Sequence, residues 1–183
     1  MPKKRSRSRF FSGKEGTPGV GALAEHPELF PGPNTIFVEK TTDTSITNDA
    51  TLTNDDELFF DVRAGERWDI HLVIHYLSVQ AADIQFKLDV PGTGATGSGV
   101  NTRVKLAATN KEELILDFAS LSVFSAGGIG GTEPGDILSM DWSINVLVGD
   151  ADGRITLQWC QSSSNANTTK VYAGSWIFAT KVN

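Results

Sequence analysis

From about residue 35 onward, hydrophobic and polar positions alternate with a period of two. Ile84, Phe86, Leu88 and Val90 share one parity, with Gln85, Lys87 and Asp89 on the other. The longest stripe is Leu138, Met140, Trp142, Ile144, Val146 and Val148, set against Ser139, Asp141, Ser143 and Asn145. Leu58, Phe60 and Val62 repeat the pattern, as do Leu114, Leu116 and Phe118, and Ile155, Leu157 and Trp159. Successive side chains of a strand point to opposite faces, so this pattern predicts strands with one buried face. The expected strands lie near 35–40, 57–63, 66–79, 82–90, 101–108, 112–124, 136–148 and 154–161, with a last one near 170–182. No long segment carries a helical period.

The connectors fit the same picture. Residues 62–68 and 148–154 read as short hairpin turns, with glycine available for positive φ. Residues 91–99 and 126–135 are longer and glycine-rich, and are expected to be flexible loops. Many short strands joined this way predict an all-β, antiparallel sandwich, with a jelly roll as the preferred topology.

Residues 12–34 have a different character, with five glycines and four prolines that no helix or strand can run through. The expected organisation is an extended N-terminal arm over 1–34, followed by a β-sandwich domain over 35–183. Charge sharpens that division. The 183-residue chain has 16 basic and 22 acidic residues, a net charge of -6. Residues 1–14 hold six of the basic groups (Lys3, Lys4, Arg5, Arg7, Arg9 and Lys14) and no acid, so the rest carries 10 basic against 22 acidic residues, or -12. A basic arm on an acidic body implies that the two parts meet different surfaces. No apolar core follows the charges, so the run does not read as a secretory signal. Apolar stretches run only a few residues, so no membrane-spanning helix is expected. A single cysteine, Cys160, excludes an intrachain disulfide framework.

Candidate chemistry is sparse. Residues 92–97 match G-x-G-x-x-G, but a dinucleotide site needs that loop to open a helix, and a strand is expected after it. His71 and His75 lie on a predicted strand, roughly 13 Å apart at about 3.3 Å per residue, too far to share one ion. Asp150 and Asp152 resemble a fragment of a calcium loop, yet Gln161 stands where a bidentate glutamate is needed, so a turn is preferred. The run Asn54 to Glu57 can hold a cation between subunits, but a solvated turn is the simpler reading. No nucleophile elbow is present, and Cys160 reads as a buried strand cysteine. Asn167 begins a glycosylation sequon for which no secretory context is expected. Trp68, Trp142, Trp159 and Trp176 fit core or subunit packing better than a sugar platform. The sequence therefore predicts no catalytic residues, no metal site, no cofactor and no enzymatic activity.

Residues 51–68, TLTNDDELFFDVRAGERW, followed by ADIQFKLDVPG at 82–92, resemble proteins encoded by tailed bacteriophages. The closing run at 168–181, TTKVYAGSWIFATK, is similar to their last strands. These families include head decoration (cement) proteins and fibre-tip domains, commonly jelly rolls with tumour-necrosis-factor-like (TNF-like) trimer packing. The resemblance spans about residues 50–183 and leaves the arm outside it. It implies a homotrimeric virion structural protein on the capsid exterior, made in the host cytoplasm, with the major capsid protein as partner. In that reading Lys3, Lys4, Arg5, Arg7 and Arg9 of the arm pair with acidic shell groups, while Phe10, Phe11, Leu23, Leu29 and Phe30 fill shallow pockets. The plain alternative for the arm is a solvated tail. Two alternatives for the whole chain are a fibre or receptor- and glycan-binding module using loops 91–100 and 125–135, and a small-virus capsid protein with a nucleic-acid-binding arm. Nucleic acid is the less expected partner, because the body is acidic.

Overall fold

The computed structural model describes residues 34–106, 112–120, 124–125 and 137–182, with side chains described over 34–100 and 137–182. The arm and the loop at 126–135 lie outside the described residues. Among the described residues twelve strands follow in order: β1 (Thr35–Glu39), β2 (Thr44–Ile46), β3 (Thr53–Val62), β4 (Arg67–Leu77), β5 (Ile84–Asp89), β6 (Thr96–Leu106), β7 (Glu112–Ser120), β8 (Phe124–Ser125), β9 (Leu138–Leu147), β10 (Gly153–Gln161), β11 (Thr169–Val171) and β12 (Trp176–Val182).

Every pairing is antiparallel, and four of them nest one inside another. β1 pairs with β12, β3 with β10, β4 with β9, and β5 with β8. Folding a chain back on itself in nested pairs, with alternate pairs assigned to alternate sheets, generates a jelly roll. The larger sheet runs β1-β12-β4-β9-β6-β7, with β2 and β11 added beside β4, and the smaller runs β3-β10-β5-β8. β6 and β7 form a hairpin inserted between β5 and β8, and they extend the larger sheet past β9.

The predicted stripes at 58–62, 84–88, 138–148 and 155–159 close the core, while the side chains of Leu114, Leu116 and Phe118 lie outside those described. Leu58, Phe60, Ile84, Phe86, Leu88, Ile155, Leu157 and Trp159 of the smaller sheet face Ile70, Leu72, Ile74, Tyr76, Met140, Trp142, Ile144 and Ile177 of the larger, all buried. Aromatic edges join the two layers: Phe60 meets Trp68 at 5.2 Å between ring centroids, and Tyr76 meets Phe86 at 5.5 Å. Edge-to-face geometry aligns the positive ring edge with the negative face of its neighbour.

Several expectations need correction. The connections at 62–68 and 148–154 are short, but they are arches between sheets, because β3 and β10 belong to one layer and β4 and β9 to the other. The two arches brace each other through Gly65 N–H to Gly149 O (2.9 Å) and Val148 N–H to Glu66 O (2.9 Å). The glycine-rich segment does not stay a loop to residue 99, since Thr96 to Gly99 pair with β9 as part of β6. Two of its glycines, Gly92 and Gly99, serve close backbone approach. At Gly92 (φ 83°) an added Cβ would meet Asp150 N at 2.5 Å, and at Gly99 it would collide with the Ser143 carbonyl oxygen. The expected final strand at 170–182 is divided into β11 and β12 by a turn at Gly174, whose φ is 84°. The run Asn54 to Glu57 is strand β3 rather than a solvated turn.

β3 also carries one half of a buried ion pair. Between Thr156↔Phe59 and Gln158↔Asn54 the register slips, so β3 bulges and its amides lose their ladder partners. Asp55 Oδ1 accepts from Glu57 N–H (3.1 Å) and Leu58 N–H (3.0 Å), and Oδ2 accepts from the Trp159 indole (3.2 Å). Lys40, just past β1, donates its ammonium to Asp55 Oδ1 at 3.0 Å, and both side chains are fully buried. Glu57 Oε2 lies 3.4 Å from the same ammonium. The Thr41 hydroxyl, with Thr42 behind it, holds the Glu57 carboxyl at a pKa of about 2 against the opposing effect of desolvation. Removing one member of a buried pair leaves an uncompensated charge, so Asp55→Ala should destabilise the fold by about 3–5 kcal/mol. A denaturant midpoint unchanged from the parent would contradict this account.

Candidate assembly interface

The outer face of the larger sheet holds the exposed aromatic residues of the described structure. In β12 the alternation sends Ile177 and Ala179 into the core, which leaves Trp176, Phe178 and Thr180 on the other side. Cross-strand register lines these up in rows. One row runs Phe37, Phe178, His71, Ser143 and Val100 across β1, β12, β4, β9 and β6. The next runs Glu39, Trp176, Val73 and Asp141, and the row on the other side is polar throughout: Thr35, Thr180, Asp69, Asn145 and Ser98.

Phe37 is 51% exposed, Val100 44% and Phe178 38%. Phe37 lies 6.1 Å from Trp176 between ring centroids, and His71 meets the same indole edge-on at 5.0 Å. His71 Nε2 is 2.8 Å from Asp141 Oδ1, and His75 Nδ1 is 2.8 Å from the Ser139 hydroxyl. Asn145 donates to Asp69. A shallow depression of about 350 Å³ between Phe178 and Asn145 has His71 in its lining. The face thus has an aromatic margin on β1 and β12 and a furrow of satisfied polar groups along β4 and β9. Exposed apolar surface rimmed by polar residues is a common feature of association sites.

Other features do not assemble into a catalytic or metal centre. Among the described residues no three of His, Cys, Asp and Glu are placed to hold a metal ion. His71 and His75 engage separate partners across β9. Asp150 accepts from the Thr93 amide at 2.6 Å and Asp152 from the Ala64 amide at 2.9 Å, so both carboxylates fasten turns. Residues 92–97 open no helix. Trp68, Trp142 and Trp159 are buried, and Trp176 is half-buried at the outer face.

The arm residues Lys3, Lys4, Arg5, Arg7, Arg9, Phe10, Phe11, Leu23, Leu29 and Phe30 lie outside the described residues. At the start of the described domain, the Asn34 carbonyl accepts from Lys181 N–H at 2.7 Å. Asp61, Asp152 and Glu66 surround a recess there with Arg63 and Lys181. Burial pushes the Glu66 carboxyl up, but bonds from Lys181, the Arg63 amide and the Trp68 indole outweigh it and hold the group low. Sequence reasoning misses two features, the Lys40–Asp55 pair and the exposed Phe37. The signal for Phe37 is the parity of TIFVE, which puts a phenylalanine on the face opposite Ile36 and Val38.

No protein-family model matches this chain, and neither does any curated protein sequence. Among solved structures, it is similar to a chain of the infectious bursal disease virus Gx strain at 11% identity, covering 82% of this chain and 41% of that one, with a TM-score of 0.19. The corresponding figures for the Gt strain are 9%, 81%, 40% and 0.17. For a mutant VP2 protein of that virus from derived T=1 particles they are 13%, 80%, 38% and 0.15. The chain spans about two fifths of the length of these chains. A likeness at this level assigns the chain to no family.

Burial, with a contribution from Asp49, pushes the Cys160 thiol up to about 11, and the side chain is fully enclosed. A protonated, enclosed thiol is a poor nucleophile. In the folded protein Cys160 should resist a maleimide at neutral pH and react fully once denaturant is added; rapid labelling of the native protein would contradict its burial.

Proposed function

We propose that this chain is a virion structural protein, a jelly roll that associates as a homotrimer through the outer face of its larger sheet and decorates the exterior of a capsid. The observation that carries the reading is the aromatic margin of Phe37, Trp176 and Phe178, set on a flat sheet face beside polar groups that already satisfy one another. Such a face suits a protein partner better than a small substrate, because its depression is shallow and its polar groups are spent on each other. The resemblance of 51–68, 82–92 and 168–181 to tailed-phage proteins points the same way.

In this role residues 1–34 act as a separate anchoring arm and 35–183 as the folded domain. The arm cations pair with acidic groups of the major capsid protein, and its phenylalanines and leucines seat in that surface. A protein that binds only the assembled shell stabilises that state by linkage, and three arms on one trimer multiply weak contacts through effective concentration. The function is mechanical and needs no cofactor. The fibre reading has less support, because its first recognition loop is partly strand and is tied at Thr93 to Asp150. Imaging purified virions with an antibody to this chain tests the proposal. Label distributed over the whole head is expected, whereas label confined to the tail tip, or none on the particle, would overturn it.

A further inference from the structure

Lys40, Asp55 and Glu57 make a fuller set than an ion pair requires. One carboxylate neutralises one ammonium, yet two face Lys40: Asp55 Oδ1 lies 3.0 Å and Glu57 Oε2 3.4 Å from Nζ. The Lys40 and Asp55 side chains are fully enclosed, while Glu57 keeps a quarter of its side chain at the surface. A buried ion pair adds little stability over apolar residues of the same size, so stability gives no reason for the extra carboxylate. The donors around Asp55 are placed just as particularly. Glu57 N–H at 3.1 Å and Leu58 N–H at 3.0 Å converge on Oδ1, and the Trp159 indole donates to Oδ2 at 3.2 Å. Paired backbone amides at this range are the device that stabilises the oxyanion of an acyl-transfer intermediate. An amine, a carboxyl carbon, an amide pair and a third group that can carry a proton together make a site for amide formation.

We infer that Lys40 and Asp55 condense in the folded chain to an isopeptide bond, with Glu57 carrying a proton between them. Nζ is 3.0 Å from Oδ1, so it stands at most about 4.2 Å from Cγ, one carbon–oxygen bond further on. A movement of about 1 Å along the flexible lysine stem brings it to the ~3–3.5 Å of a near-attack arrangement. The ammonium first gives one proton to the Asp55 carboxylate, which an enclosed site favours because it removes both charges. The amine lone pair then forms the Nζ–Cγ bond, and the displaced carbonyl pair moves onto Oδ1, facing the two amides. Glu57 takes a second proton from the nitrogen and passes it to the Oδ2 hydroxyl. The Cγ–Oδ2 bond breaks and water leaves as the carbonyl re-forms. One N–C bond forms, one C–O bond breaks, and nothing is oxidised or reduced. The Thr41 hydroxyl, with Thr42 behind it, holds the Glu57 carboxyl at about 2, so it is ionised and holds the proton only in passing. Its partial exposure gives the released water a way out, and enclosure of the product guards the bond against hydrolysis.

The bond joins residues fifteen apart, at the end of an edge strand of the larger sheet and on an edge strand of the smaller. β1 is the first strand after the arm, so a pull on the arm would peel β1 away from β12 and stop at a covalent tie.

Mass spectrometry of the denatured full chain, after the folded protein has stood at neutral pH, tests this. The parent should be lighter than its sequence by one water. Trypsin should leave residues 15–63 as a single peptide, because an acylated Lys40 is not cut and no other lysine or arginine lies between Lys14 and Arg63. Lys40→Arg and Glu57→Gln should both keep the full mass and be cut after residue 40. Glu57→Gln alters a partly exposed side chain, and it keeps the test decisive if Lys40→Arg folds poorly. Full mass with cleavage after Lys40 in the folded parent would overturn the inference. So would loss of one water with that cleavage intact, since the water would then come from elsewhere. Undiminished bond formation in folded Glu57→Gln would overturn the proton route. The bond lies within one chain, so these outcomes are independent of the trimer.

Discussion

The buried carboxylate of Asp55 is the constraint on which the sandwich depends. β3 forms an edge of the smaller sheet and bulges where it passes β10, which takes two amide donors off the ladder. Asp55 satisfies both, takes the Trp159 indole on its other oxygen, and is itself neutralised by Lys40 from the end of β1. A buried charge is tolerable only with such complete pairing. One side chain thereby joins the edge of the larger sheet, the edge of the smaller and a core tryptophan. β1 carries Phe37, so the same pairing holds the aromatic margin in place.

The larger sheet then behaves as a two-faced plate. Its inner face, from Leu72 to Trp142 to Ile144, closes the core. Its outer face keeps aromatic residues and pairs its own polar groups in His71–Asp141 and Asp69–Asn145. A sheet that needed only to fold would place polar residues in those outer rows, as the row from Thr35 to Ser98 does. Exposed aromatic residues such as Phe37 and Phe178 cost solubility in a lone copy, and the proposed association would cover them. Decoration of a shell asks for a rigid body, a way to gather copies and a separate anchor. The jelly roll, the outer face and the basic arm correspond to those three requirements in the proposed role.

Much of this architecture is legible in the sequence. The stripes at 58–62, 84–88, 138–148 and 155–159 identify the core because a period of two survives any topology. What period cannot show is which face of a strand meets the core, and the side chains of Leu114, Leu116 and Phe118 lie outside those described. The acidic run at 54–57 reads as solvated because sequence alone does not bring Lys40 to Asp55, fifteen residues away. The arches at 62–68 and 148–154 resemble hairpins because a short turn looks the same whether it returns to its own sheet or crosses to the other. In the candidate interface, Trp176 is legible as a packing residue, but its partners Phe37 and His71 come from strands far apart in the chain.

The central claim is that the outer face of the larger sheet is buried between copies of this chain. Sedimentation equilibrium of the full chain at micromolar concentration tests it most directly. The account predicts a single species of about 59 kDa, three times the 19.7 kDa of one chain. A species of 19.7 kDa across that concentration range would contradict it.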